Sequence, residues 1–430
     1  MAISWRAVAL TALGLLAVLL VPSTGTVLLW TTFVVVLCLL DVSLAASPRQ
    51  VAVRRTVPAS VRLTEPARST LVVTNRSRRR LRGVVRDAWQ PSAGASSNRH
   101  AVDLPPGEAQ RLVTPLLPTR RGDRLADRVT IRAWGPLGLA GRQASIGVPG
   151  RLRVLPEFSS RRHLPSRLAR LRELDGRTAV QLRGAGTEFD SLREYVIGDD
   201  VRSIDWRATA RRSEVVVRTW RPERDRRVLI VLDTSRTSAA RIGDIPRIDA
   251  SMEAALLLSA LASRAGDRVD LIAFDRRLRA QVAGTAGPRL LPALAEAMAP
   301  LDPSLLEADW SAIAGAVRQR LSQRALVVLL TTLDPAPVEN GLLPVIGPLA
   351  HDHTVVVASV ADPEVAQLAT ARATTDEAFD AAAAARVELE RAAVSLRLRQ
   401  RGVEVVDALP EDLAPRLADT YLALKAAGRL

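Results

Sequence analysis

The chain has one cysteine, one lysine and four histidines among its 430 residues, and each scarcity excludes something. Cys38 stands alone inside an apolar run, so no intramolecular disulfide and no cysteine-built zinc site can form. Aromatic residues make up 3%, too few for a row of base-stacking platforms. Lys425 is the sole lysine, so the net charge of +15 is carried by arginine. That bias suits a solvated surface facing an anionic cytoplasmic leaflet better than a nucleic-acid groove. Hydrophobic residues at 48% and charged residues at 24% are ordinary globular usage, which rules out wholesale disorder and fibrous repeats. The length allows two or three domains, each with its own core.

Two long apolar runs open the chain, residues 7–21 and 27–40, with the turn-forming Pro22-Ser23-Thr24-Gly25 between them. Neither run alone covers a hydrocarbon core of about 30 Å at about 1.5 Å per residue, so each must borrow flanking residues. The punctuation at their middle predicts a transmembrane helical hairpin over residues 1–46 instead of one long helix. Arg6 precedes the pair and Arg49, Arg54 and Arg55 follow it, which puts both ends, and the rest of the chain, in the cytoplasm at the inner or plasma membrane. A cleaved signal peptide is the rival reading, but no small-x-small cleavage site follows Val21. Asp41 sits awkwardly in the second span, where an acid must snorkel or mark the interface.

Residues 47–157 switch to short runs rich in Val, Leu and Thr bounded by Pro, Gly, Asn and Ser, the pattern of a small all-β sandwich without catalytic residue types. Residues 158–181 interleave Arg161, Arg162, Arg167, Arg170 and Arg172 with leucine. That spacing predicts an amphipathic helix with a basic face, which fits anionic lipid or plain solvent equally.

Residues 158–225 form the basic link and the segment after it, which contains Gly184, Gly186, Glu188, Phe189, Arg193, Tyr195, Gly198, Asp199, Asp200, Arg202, Asp205, Trp206 and Arg211 in nearly thirty contiguous positions. The succession Gly-x-Gly-x-Glu-Phe, Leu-Arg-x-Tyr, Gly-Asp-Asp-x-Arg, Ile-Asp-Trp and Thr-Ala-Arg resembles the signature of domain-of-unknown-function family fifty-eight. Physically the segment alternates carboxylates with guanidiniums, so bidentate Arg–carboxylate pairs can tie its loop down. A docking surface or a phosphate-contacting patch is the functional alternative. Trp206 and Tyr195 are expected as core anchors.

From residue 226 to 430 apolar strand runs alternate with helical stretches, which predicts an α/β domain on a doubly wound parallel sheet. A helix over residues 247–264 would present Ile248, Met252, Ala255 and Leu256 to that sheet. The first strand ends in Asp233-Thr234-Ser235-Arg236-Thr237, at the carboxyl edge where such sheets bind ligands. This resembles the Asp-x-Ser-x-Ser loop of von Willebrand factor A domains, a metal-ion-dependent adhesion site in which those side chains hold Mg²⁺ beside a partner's carboxylate. The resemblance implies Asp233, Ser235 and Thr237 as ligands, with a second-loop hydroxyl from Thr285 or Ser311. The later acid appears as Thr331-Thr332-Leu333-Asp334, so the site is degenerate, with Asp334 displaced by two residues.

No nucleophile with an adjacent base accompanies these acids, so binding is expected and catalysis is not. The family resemblance implies a membrane-anchored adaptor or scaffold for protein partners, with a MoxR-type AAA ATPase as the expected one. Two other classes stay open: an Arg-rich binder of nucleic acid or anionic lipid, and a metal-dependent hydrolase using Asp233 with Asp334 or Asp275.

Overall fold

The computed structural model describes residues 2–181, 188–212, 214–221, 226–371 and 373–430, arranged in two compact units, Met1–Leu155 and Pro156–Leu430. The signature glycines Gly184 and Gly186 lie outside the described residues.

The first unit begins with β1 (Ala2–Ile3), α1 (Trp5–Leu20) and α2 (Thr24–Leu44). Ser4 and Ser23 cap the two helices, each accepting a backbone N–H at 3.2 Å, and the chain reverses between them at the predicted turn. The helices touch: Trp30 Nε1 donates to the Leu10 carbonyl at 3.2 Å. Among the described residues α2 is the helix long and apolar enough to cross a bilayer, and α1 falls short at 16 residues. Eight strands follow: β2 (Val51–Thr56), β3 (Ser60–Arg62), β4 (Ala67–Asn75), β5 (Leu81–Ala88), β6 (Arg99–Leu104), β7 (Ala109–Leu116), β8 (Gly122–Trp134) and β9 (Ala140–Leu155). They form one sheet in the order β1-β9-β8-β5-β6, with β3 also on β9, and a second in the order β2-β4-β7. Alternate residues of both sheets, among them Leu71, Val73, Val85, Leu112 and Ile131, share one core.

Arg55, one of the charges that follow the apolar runs, is withdrawn from solvent. Its side chain is 1% exposed between the sheets, where Nη2 meets Asp87 Oδ1 at 2.5 Å and Nη1 donates to the Ala126 carbonyl at 2.9 Å and to that of Val148. Asp87 Oδ2 accepts from Ser69 Oγ at 2.8 Å and Trp89 Nε1 at 3.0 Å, so the carboxylate is saturated by donors. A buried charge pair persists only when its remaining valences are filled in this way.

The second unit runs α3 (Leu164–Gln181), β10 (Glu188–Glu194), α4 (Trp206–Arg212), β11 (Val216–Arg221), β12 (Arg227–Asp233), β13 (Arg241–Ile242), β14 (Ile245–Pro246) and α5 (Arg247–Arg264). It continues with β15 (Arg268–Phe274), β16 (Leu278–Val282), α6 (Leu290–Met298), α7 (Trp310–Arg320), β17 (Leu326–Leu330), α8 (Pro335–Pro337), α9 (Leu343–Asp352) and β18 (Thr354–Val360). The last elements are α10 (Pro363–Leu368), α11 (Thr375–Gln400), β19 (Glu404–Ala408) and α12 (Pro410–Ala426). The main sheet has the order β16-β15-β12-β17-β18-β19, parallel except for the edge strand β16. Leu229, Val231, Val327, Leu329, Val355 and Val357 pack on one face against Trp310, Ile313, Ile346, Val394 and Leu398. Helices α5 and α12 contact the strands from the other face and each other. The four predicted contacts of α5, Ile248, Met252, Ala255 and Leu256, are all fully buried.

The basic link does become a helix, α3, which packs one side against its own unit and leaves Arg170 and Arg172 exposed on the other. Leu171 is buried, α3 contacts α5 and α12, and Arg167 Nη2 meets Asp419 Oδ2 at 2.9 Å. One buried leucine and a long-range ion pair commit that side of the helix to its own unit.

At the C-terminus, Lys425 is also withdrawn. Its side chain is 8% exposed, with Nζ 3.4 Å from Asp267 Oδ1 and 3.4 Å from the Tyr421 hydroxyl, which itself donates to Asp267. Burial raises the Asp267 carboxyl above its ordinary range, and the ammonium pulls in the opposite direction.

Candidate functional site

Strand β12 delivers Asp233 to the carboxyl edge of the parallel sheet, paired in register with Phe274 of β15. The chain crosses from β12 to β15 on one side and reaches β17 on the other, which opens a crevice between β12 and β17. Asp233 is 2% exposed. Its Oδ1 accepts from Ser235 N at 2.8 Å, and its Oδ2 accepts from Thr331 Oγ1 at 2.6 Å and Thr237 Oγ1 at 3.2 Å. Ser235 Oγ and Thr237 Oγ1 lie 3.1 Å apart, and Ser238 Oγ ties the loop back to the Asp233 carbonyl at 2.7 Å. Burial pushes the Asp233 carboxyl up, against the hydrogen bonds from Thr331, Ser235 and Thr237. Among the described residues no cationic side chain pairs with it.

The crevice opens as a cleft of about 340 Å³. Asp233, Ser235, Thr237, Thr331 and Thr332 line one part; Trp310, Asn340 and Gly341 line another. Residues 338–342 form a π-helical turn, a local distortion frequent beside functional sites, in which a Cβ on Gly341 would stand 2.4 Å from the Trp310 ring. Only glycine there lets the indole lie against the backbone. At the mouth, Arg236 Nε and Nη2 meet Glu307 Oε1 at 2.8 and 2.7 Å.

Asp233, Ser235 and Thr237 therefore come together. Thr285 does not join them: β16 runs antiparallel, Val282 pairs with Leu271, and Gly284 N donates to Asp270 Oδ1, so Thr285 lies toward the amino edge of the sheet. Ser311 is exposed in the first turn of α7, beside the cleft-lining Trp310. The carboxylate of Asp334 turns elsewhere, to Arg391 Nη1 at 3.3 Å and Arg247 Nη1 at 3.4 Å. Arg247 also donates to Thr332 Oγ1 at 3.0 Å. Asp275 is spent on its own turn, accepting from Arg276 N at 2.6 Å and Arg277 N at 3.1 Å. Among the described residues no three Asp, Glu, His or Cys side chains gather as a metal cluster.

Thr331 is the hydroxyl that reaches Asp233 most closely, and residue order alone did not single it out. Its signal was available: it follows the apolar run of β17 directly, as Asp233 terminates β12. Asp233, Ser235, Thr237 and Thr331 supply oxygen atoms only, which is what a hard cation takes. Because the Thr237 and Thr331 protons point at Asp233, their lone pairs stay available. One carboxylate and three hydroxyls are a donor set of the kind that fits Mg²⁺.

The signature segment folds as the two-stranded β10–β11 ribbon with α4 behind it. Arg193 clasps Asp199 through both arms, at 2.8 and 2.6 Å. Asp205 accepts from Arg207 N and Ala208 N, both at 3.0 Å, and from Arg218 Nε at 2.8 Å. The Ala208 N–H first, then the Arg218 guanidinium, hold its carboxyl below the usual range. Asp200 accepts from Arg202 N at 3.0 Å. Gly198 takes a left-handed turn at φ 109°. Glu188 and Phe189 belong to β10, Tyr195 is half-buried, and Arg211 ends exposed in α4. Trp206 departs from expectation: it is 67% exposed at the first residue of α4, while Val216 and Val217 of β11 are buried.

A mainly parallel six-stranded sheet with helices on both faces and a polar crevice at its carboxyl edge makes the second unit an α/β domain. Residues 191–403 match the family described as "Protein of unknown function DUF58", and the chain carries a domain of that family. Uncharacterized proteins of Mycobacterium tuberculosis and Mycobacterium bovis are each 26% identical over 187 residues, 43% of this chain. The chain spans 58% of the length of these curated relatives. Among solved structures, alpha-2-macroglobulin of Escherichia coli aligns at a TM-score of 0.21 and 21% identity, over 26% of this chain and 17% of that one. The CARDB domain of a Pyrococcus furiosus protein aligns at 0.19 and 18%, over 24% and 91%. Scores this low carry no argument about fold or function.

Proposed function

We propose that the chain is a membrane-anchored cytoplasmic adaptor whose von Willebrand factor A-like domain grips an acidic side chain of a protein partner through Mg²⁺. The observation that carries this reading is Asp233: a buried carboxylate with no cationic partner among the described residues, ringed by Ser235, Thr237 and Thr331 at an open crevice. A carboxylate so placed costs stability unless something positive binds. Asp233, Ser235, Thr237 and Thr331 would hold the ion, which supplies the positive charge that a partner's carboxylate completes. Engagement of Asp334 and Asp275 elsewhere supports binding over two-acid hydrolysis. Helices α1 and α2 serve as a transmembrane hairpin at the inner or plasma membrane in this reading, and the signature resemblance favours a MoxR-type AAA ATPase as partner.

The test compares capture of such an ATPase by the full chain in nanodiscs, at constant Mg²⁺, between wild type and Asp233→Ala and Ser235→Ala variants. Capture is expected to fall at least about tenfold in Asp233→Ala, the loss of one charge-assisted contact. Equal capture by all three proteins would remove the metal from the account, and no capture by any would remove this partner.

A further inference from the structure

Asp41 lies in the last turn of α2 and is fully buried. Its Oδ1 accepts from Leu137 N at 2.8 Å, and its Oδ2 from Leu139 N at 2.7 Å and Ala140 N at 2.9 Å. These amides lie in the turn between β8 and β9 and at the first residue of β9. A Cβ on Gly135 would stand 2.1 Å from the carboxylate, so glycine is required at this approach. The start of α1 is fixed to the same turn: Ser4 Oγ donates to the Gly138 carbonyl at 2.6 Å, and Ala2 and Ile3 pair with Gly141 and Ala140. Arg142 Nε donates to the Val42 carbonyl at 3.0 Å, and Arg79 donates to that of Ser43. Cations at these last carbonyls also suit the helix dipole.

The acid that sits badly in an apolar span is thus the pin that joins the helix pair to the sandwich. Its depth follows from length. The 21 residues of α2 rise about 32 Å at about 1.5 Å each, close to a hydrocarbon core of about 30 Å, which sets Asp41 at the boundary. Whatever is pinned to Asp41 shares that level. Leu137, 50% exposed at the tip of the turn, and Trp5, 76% exposed at the start of α1, stand where interfacial apolar and indole groups belong. Around them are Arg6 and the loop carrying Arg76, Arg78 and Arg79; Arg76 N donates to the Gln50 carbonyl at 3.2 Å, just beyond α2. Among the described residues no carboxylate pairs with these four arginines.

We propose that this root is a binding site for anionic phospholipid headgroups, in which the four guanidiniums take headgroup phosphates while Leu137 and Trp5 seat in the interfacial layer. The inference rests on the reading of α1 and α2 as membrane-inserted, and deepens it. The sandwich then rests its β8–β9 end on the bilayer instead of trailing from a tether.

The experiment uses the full chain in nanodiscs of phosphatidylcholine, with or without about one third phosphatidylglycerol. In a Cys38→Ser background, an environment-sensitive probe is placed at Leu137→Cys or, as control, at Arg120→Cys beyond the opposite end of β8, about 43 Å away. A third sample carries the probe on native Cys38. With a spin label on the phosphatidylglycerol headgroups, quenching at position 137 is expected to exceed that at 120 at least about threefold, and to exceed that given by the same fraction of label on phosphatidylcholine headgroups. The triple variant Arg76→Gln, Arg78→Gln, Arg79→Gln is expected to lose the phosphatidylglycerol dependence. If Cys38 is quenched by an acyl-chain label but position 137 matches the control, or behaves identically in both lipids, the headgroup site is wrong and the anchor stands. An unquenched Cys38 overturns the anchor and the site together.

Discussion

Replacing Asp87 by alanine is expected to destabilise the sandwich by about 3–5 kcal/mol, the usual cost of stranding one half of a buried ion pair. The variant leaves the Arg55 guanidinium, 1% exposed, with carbonyl partners but no counter-charge, and it strips Ser69 Oγ and Trp89 Nε1 of their acceptor. Calorimetry of the full chain should show the transition of this unit lowered by at least about 10 °C. Asp87→Asn keeps an acceptor for Ser69 and Trp89 while removing the charge, so its loss should fall between wild type and alanine. An Asp87→Ala protein within about 1 kcal/mol of wild type would mean that the network contributes little.

The opposite sign is expected at Asp233. Its pKa is raised by burial, so the folded chain holds that proton more tightly than the unfolded chain does. Folding therefore gains from this group at low pH and loses that gain as pH rises from the ordinary carboxylate range through the raised folded value. Asp233→Asn removes the charge while keeping an acceptor for Ser235 N. The variant should be more stable than wild type at neutral pH by about 1–2 kcal/mol, and its stability should be flatter with pH above about 4. Added Mg²⁺ should raise the wild-type melting temperature and leave the variant unchanged. A wild-type protein indifferent to Mg²⁺, or an asparagine variant less stable at neutral pH, would contradict the description of Asp233 as a carboxylate waiting for a cation.

Much of the architecture was legible where the determinant is local. The apolar run before Asp233 and the 3.6-residue stripe of Ile248, Met252, Ala255 and Leu256 marked β12 and α5 because burial on both faces, or along one stripe, writes itself into neighbouring residues. The failures share another cause. Asp334 was drawn to the metal loop by spacing, yet Arg391 approaches it from α11, 57 residues onward. Thr285 looked available until the antiparallel register of β16 carried it toward the amino edge. Arg55 counted as a flanking charge although its partner Asp87 lies on a different sheet. Asp41 read as the weak point of a span because its amide donors come from residues 137–140. Trp206 resembled a core aromatic, and composition has no means of saying which way the first turn of α4 faces.

The seclusion of Lys425 makes the folded protein nearly silent to amine chemistry. The other basic side chains are guanidiniums and four imidazoles, so acylating reagents, amine cross-linkers and lysine-directed tagging find one side-chain amine, and it is held between Asp267 and Tyr421. Its acylation can then report the opening of the α12 end of the chain, one event per molecule.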